Sequence, residues 1–207
     1  MGQILKFPTE AAKFGYKRVR KRKAAENPDQ LHLFAQPTAQ ILSFATPLSP
    51  FEQALLCDER GDIKAAELYA KAIEDEDCVA DAYCNLGIIE SQKGSTAKAF
   101  DCFTTSLKNN PRHSEAHYNL ANLYFEMNDF RLAQIHYEMA AEVDATFANV
   151  YFNLALVQSI NNEIAPAIET LTRYRQLVAT DEARNADELL LNLKRLLAAS
   201  KNSRVGS

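Results

Sequence analysis

Four histidines, four cysteines and twenty-seven acids are the groups of this sequence that could do chemistry. Their spacing argues against most of it. There is no glycine-rich phosphate loop, no Gly-x-Ser-x-Gly elbow and no His-Glu-x-x-His pair. His113 and His117 are four apart, a spacing that can set two imidazoles on one helix face as in a metal site. But His113 falls in a turn and His117 on an apolar face, so no metal and no cofactor is expected. Cys57, Cys78, Cys84 and Cys102 show no Cys-x-x-Cys spacing and read as reduced, partly buried side chains. The acids fall mostly at solvent-facing positions, which gives paired-carboxylate catalysis no support. The expectation is a non-enzyme with no small-molecule substrate.

The elements around these groups are helical and soluble in composition. Hydrophobic residues make up 47% and charged residues 24%, ordinary for a globular chain. No apolar run reaches a membrane span. The N-terminus lacks a secretory pattern, and Lys6 breaks the myristoylation pattern after Gly2. No membrane role and a cytoplasmic location are therefore expected. Charge is uneven: residues 1–30 sum to +5 and residues 31–207 to −9. The source is a basic run, Lys17, Arg18, Arg20, Lys21, Arg22 and Lys23, interrupted by Val19. Such a run repels itself, and with several prolines nearby it reads as a flexible, disordered arm. It could be a solvated tail, or it could be drawn to nucleic acid or another acidic surface, the chain's own body included.

From Pro47 onward a period of 34 appears. Counting from Ala80, Ser114 and Ala148, the seventh residues are Leu86, Leu120 and Leu154. The eighth are Gly87, Ala121 and Ala155, the twentieth Ala99, Ala133 and Ala167, and the twenty-fourth Phe103, Tyr137 and Leu171. Within each unit the apolar positions follow the helical i, i+3, i+4, i+7 rule twice. Small residues at the eighth and twentieth positions permit close helix approach beside the large twenty-fourth. An earlier, degenerate unit places Leu56, Gly61, Ala65, Tyr69 and Ala72 in matching positions. Ser95 and Asn162 are placed to cap second helices. The pattern resembles the tetratricopeptide repeat. The resemblance implies an all-α, right-handed solenoid of about four helix-turn-helix repeats, at 46–79, 80–113, 114–147 and 148–180. Leu189, Leu190, Leu193, Leu196 and Leu197 form the stripe of a capping helix within 181–200.

The resemblance also implies a concave groove lined by the first helix of each repeat. It carries an asparagine ladder, Asn85, Asn119 and Asn153, with Asn122, Tyr118, Phe125 and Phe152 nearby. An amide side chain donates and accepts, so a ladder can hold the backbone of an extended peptide without demanding a sequence. Asparagines here can equally hold neighbouring helices together. The Lys and Arg with which some relatives grip acidic chaperone tails are missing: Cys84, Asn85, Ile88, Glu115 and Asn119 stand there. A chaperone-tail partner is therefore not expected.

One further segment stands apart. Gln30, Leu31, His32, Leu33 and Phe34 resemble the Gln-Leu-x-Leu-Phe motif by which bacterial replication and repair proteins dock on the DNA sliding clamp. Leu31, Leu33 and Phe34, with Ile41, Leu42 and Phe44, could instead fold back onto the body. The sequence thus divides into a basic arm with a short motif (1–46), repeats (47–180) and a cap (181–200). Two functions are expected from it. The first is a non-catalytic protein-binding scaffold. The alternative is a replication or repair accessory tethered to the clamp and to nucleic acid by its arm.

Overall fold

The computed structural model describes residues 17–19, 47–180 and 182–205. The arm residues Arg20, Lys21, Arg22 and Lys23 and the motif residues Gln30, Leu31, Leu33 and Phe34 lie outside them.

Helical hairpins account for the described body, and among the described residues there are no strands. The first is α1 (Pro50–Glu59) with α2 (Ala65–Glu74), followed by α3 (Val79–Gln92) with α4 (Thr96–Asn109). Next come α5 (Ser114–Glu126) with α6 (Phe130–Val143), then α7 (Ala148–Ile160) with α8 (Ile164–Leu177). A last helix, α9 (Arg184–Val205), packs on α8. Each hairpin packs its second helix on the first helix of the next, and α3 also reaches α5. This is the stack of an α-solenoid, in which neighbours build the core that one hairpin cannot.

The small positions let the stack close. Ala99, Ala133 and Ala167 are fully buried, as are Phe103, Tyr137 and Leu171 one turn later. Gly87 lies so near Phe103 that an added Cβ would meet its ring at 2.7 Å. Where the series puts Ser106 among alanines, its hydroxyl is satisfied by donating to the Ala80 carbonyl at 2.7 Å. At the far end, Ala186, Leu189, Leu190 and Leu193 bury against Phe152, Leu156, Leu171 and Tyr174. Leu196 and Leu197 are half-buried beside them.

Turn chemistry sets the helix ends. Gly94, Asn128 and Asn162 have φ of 76°, 62° and 64°, closing the first helix of successive repeats at intervals of 34 residues. Glycine and asparagine tolerate this left-handed conformation best. Asn162 is therefore a turn residue, and Glu163 is the N-cap of α8. Ser95 does occupy the N-cap of α4, yet its side chain makes no capping bond. True side-chain caps are Ser49 on α1, paired with Glu52 in a capping box, His113 on α5 and Asp129 on α6.

The first hairpin departs from the expected register. Leu56 is 42% exposed, while Ala54 and Phe51 are buried. The reason is one residue fewer between the first and second helices of this hairpin than in the next. Thirty-three residues separate Gly61 from Gly94 and Ala54 from Gly87, but 34 separate Tyr69 from Phe103. The second helix keeps the repeat frame and the first slides by one, which turns Leu56 outward.

Candidate functional site: an asparagine ladder holding an extended segment

Residues 17–19 differ from the expected free arm: they lie along the first helices of two hairpins. The Lys17 N–H donates to Asn119 Oδ1 at 2.9 Å, and Asn119 Nδ2 donates back to the Lys17 carbonyl at 3.1 Å. Two residues on, the Val19 N–H donates to Asn85 Oδ1 at 2.9 Å, and Asn85 Nδ2 returns a bond to the Val19 carbonyl at 3.1 Å. Each amide thus grips one residue by both of its backbone groups. Alternate residues of an extended chain face the same way about 6.6 Å apart. That advance matches one step of the solenoid, and the segment runs from α5 toward α3, opposite to the order of the repeats.

Every rung is anchored from behind. Asn85 Nδ2 also donates to the Tyr69 hydroxyl at 3.1 Å, and Asn119 Nδ2 to Cys84 Sγ at 3.5 Å. Asn153 is fully buried, and its Nδ2 faces Asn122 Oδ1 at 3.3 Å and the Tyr118 and Tyr137 hydroxyls at 3.4 Å. Asn153 Oδ1 has no hydrogen-bond partner among the described residues. The third rung therefore has the build of the other two. A buried acceptor left unpaired costs about 1–3 kcal/mol, so this atom favours an incoming N–H.

The side chains of the segment are met individually. Val19 is 1% exposed and joins a cluster with Cys84, Ile88, Leu120 and Leu123. The Arg18 Nε sits 2.6 Å from Asp58 Oδ2, whose side chain is only 6% exposed. Asp58 also accepts from the Tyr69 hydroxyl at 3.2 Å, joining Arg18, Asp58, Tyr69 and Asn85 in one network. Burial, and secondarily Asp58, push the Tyr69 hydroxyl well above its ordinary pKa. Lys17 Nζ lies 5.0 Å from the centre of the Phe147 ring, within cation–π range. Arg18 reaches Gln92 Oε1 at 3.5 Å.

The other residues named for the groove have different surroundings. Asn122 accepts the Tyr137 hydroxyl at 2.5 Å. Tyr118 is fully buried against Phe147, ring centres 4.7 Å apart. Phe125 packs edge-on to Phe130, and Phe152 packs on Tyr174. Asp58 and Gln92 were not singled out by sequence reasoning, and Tyr69 only as a packing position of the first unit. Asp58 and Gln92 do sit late in first helices, where the resemblance puts groove positions, and that placement was the available signal.

Among the described residues, His113, His117 and His136 lie close together. His113 Nδ1 accepts the Ala116 N–H and its Nε2 meets Asp81 at 2.8 Å. His117 Nε2 lies 3.1 Å from the Pro111 carbonyl, which can only accept. Neutral His117 therefore keeps its proton there and offers a bare Nδ1 to the His136 Nδ1–H at 3.0 Å. His113 and His117 thus hold different partners. Among the described residues no group of three or more potential metal ligands assembles. The cysteines are free thiols. Burial pushes the Cys84 thiol well up and the Cys102 thiol up to about 11. No helix among the described residues is long and apolar enough to cross a membrane.

Comparison with known proteins agrees with the fold. Residues 80–113 and 102–135 each match a model of the tetratricopeptide repeat. No match is found among curated protein sequences. Among solved structures, the chain is similar to the first TPR of Spaghetti (RPAP3) bound to the HSP90 peptide SRMEEVD. The identity is 19%, over 57% of this chain and 93% of that one, with a TM-score of 0.53. It is also similar to the crystal structure of MamA, at 17% identity over 73% of this chain and 96% of that one, TM-score 0.53. Residues 80–135 thus match the tetratricopeptide repeat, and the described body shares the α-solenoid fold of these solved structures.

Proposed function

We propose that the chain is a non-catalytic adaptor whose groove holds an extended segment of a partner protein. The observation that carries this is the double backbone grip of Asn85 on Val19 and of Asn119 on Lys17. Backbone bonds of this kind supply affinity without fixing a sequence, and flanking pockets add preference. That a similar domain is bound to a peptide in its solved structure supports the reading. In this reading Asn85, Asn119 and Asn153 are the binding residues. Tyr118, Asn122, Phe125 and Phe152 shape the helices behind them. Residues 47–180 form the binding body and 181–200 its cover. The partner is a protein rather than a small molecule.

The test is a display library of random peptides selected on the full-length chain. Binders should lose affinity about tenfold or more with Asn85→Ala/Asn119→Ala, each asparagine contributing two hydrogen bonds. Binders whose affinity is unchanged in that double variant, shown to be folded by circular dichroism, would overturn the groove reading.

A further inference from the structure

The surroundings of residues 17–19 constrain what else could lie there. Asp58 is buried to 6% and faces Arg18. A carboxylate so placed disfavours any occupant without a cation at this point, because it would be left desolvated and unpaired. The neighbouring site is different. Val19 lies among apolar side chains and is 1% exposed. A charge there would be desolvated among apolar side chains, and a larger side chain would have to displace close-packed neighbours. The outer site is permissive, because among the described residues Lys17 meets a ring face and the backbone grip.

Resting on the groove reading, we infer that the groove selects extended segments carrying Arg followed by a small β-branched aliphatic residue. We infer also that the chain's own Lys17-Arg18-Val19 is a resident copy of that ligand, which a partner must displace. The resident copy is covalently attached, so it competes at an effective concentration on the order of millimolar. A partner of matching sequence therefore meets a groove already filled by its own kind.

Fluorescence anisotropy on the full chain tests this, with a labelled synthetic peptide of residues 12–24 as the probe. The receptor is wild type or a variant that releases the resident copy, Val19→Asp or, independently, Arg18→Glu. Expected: both released variants bind the peptide at least tenfold more tightly than wild type. On them, a peptide with Arg18→Glu and a scrambled peptide of the same composition each bind at least tenfold more weakly than the native one. Wild type binding as tightly as the released variants would overturn the resident-ligand inference. Scrambled and native peptides binding alike would reduce the interaction to charge attraction and overturn the selectivity. An Arg18→Glu peptide binding as well as the native one would overturn the role of Asp58 and leave the groove standing. Failure of both folded variants to bind any of these peptides would overturn the groove reading itself.

Discussion

Asn119 does two things with one amide. One Nδ2 hydrogen holds Cys84 of the previous repeat, and the other, with Oδ1, holds Lys17. At this residue the same amide ties two repeats together and holds a backbone segment of the chain itself. Asn119→Ala should release Lys17 while Asn85 still holds Val19. Amide hydrogen exchange measures this directly: the Lys17 amide should exchange about tenfold faster or more, with the Val19 amide less affected. Equal exchange at Lys17 in variant and wild type would remove the grip from consideration. The thiols give a second residue-scale contrast. Cys78 is exposed, whereas Cys84 is buried with its thiol pKa raised. A maleimide should modify Cys78 well before Cys84 in the native protein, because the thiolate is the reacting form.

At the scale of elements, the axes of α3 and α4 come together where Gly87 meets Phe103. Gly87→Ala brings a Cβ within 2.7 Å of the ring and should cost about 1–3 kcal/mol, seen as a lower melting temperature. Ala121→Phe, fully buried at the equivalent point of the next repeat, should cost at least as much. The pairing of α5 with α6 is sensitive to acid. Burial, with a smaller effect from His117, pushes His136 down to about 4, and burial lowers His117 too. Both folded values lie below the unfolded imidazole, so unfolding takes up protons and stability falls with pH. The loss begins near the unfolded value of 6.5 and runs down toward about 4. A proton on His136 leaves its Nδ1–H bond intact, but one on His117 removes the acceptor. The loss should be on the order of 1 kcal/mol, given solvent screening of half-buried groups. Thermal melts at pH 7 and pH 5 check it, and His136→Asn should shrink the difference.

At the scale of the molecule, the solenoid is close to one-dimensional. Leu193→Ala in α9, at a fully buried site, should cost about 2–5 kcal/mol. Its effect should concentrate in the last repeat, where hydrogen exchange would rise in α7 and α8 but not in α3. This architecture was legible because a 34-residue period with small residues at fixed places admits few packings. Gly87, Ala121 and Ala155 spell out the helix contacts before any coordinates do. The slide of α1 was not legible, because one missing residue between α1 and α2 leaves Tyr69 and Ala72 in frame and hides the offset. Nor was the seat of Lys17 and Val19. Their partners lie 102 and 66 residues away, and nothing local in a basic run announces a tertiary contact. Asp58 escaped notice for a related reason: its meaning depends on a cation that arrives from across the chain.

The matched spacing of rungs and strand has one more consequence, which concerns slippage. Each asparagine grips backbone alone, so a shift of the segment by two residues would re-form the same bonds with new partners. The ladder is a ratchet with no preferred tooth. Side chains must choose, and in the run 17–23 every residue but Val19 is a cation. Advancing by two puts Lys21 in the valine's apolar seat, and retreating by two puts Lys17 there. Either would desolvate a charge among apolar side chains. Val19, the one break in the basic run, is the pawl.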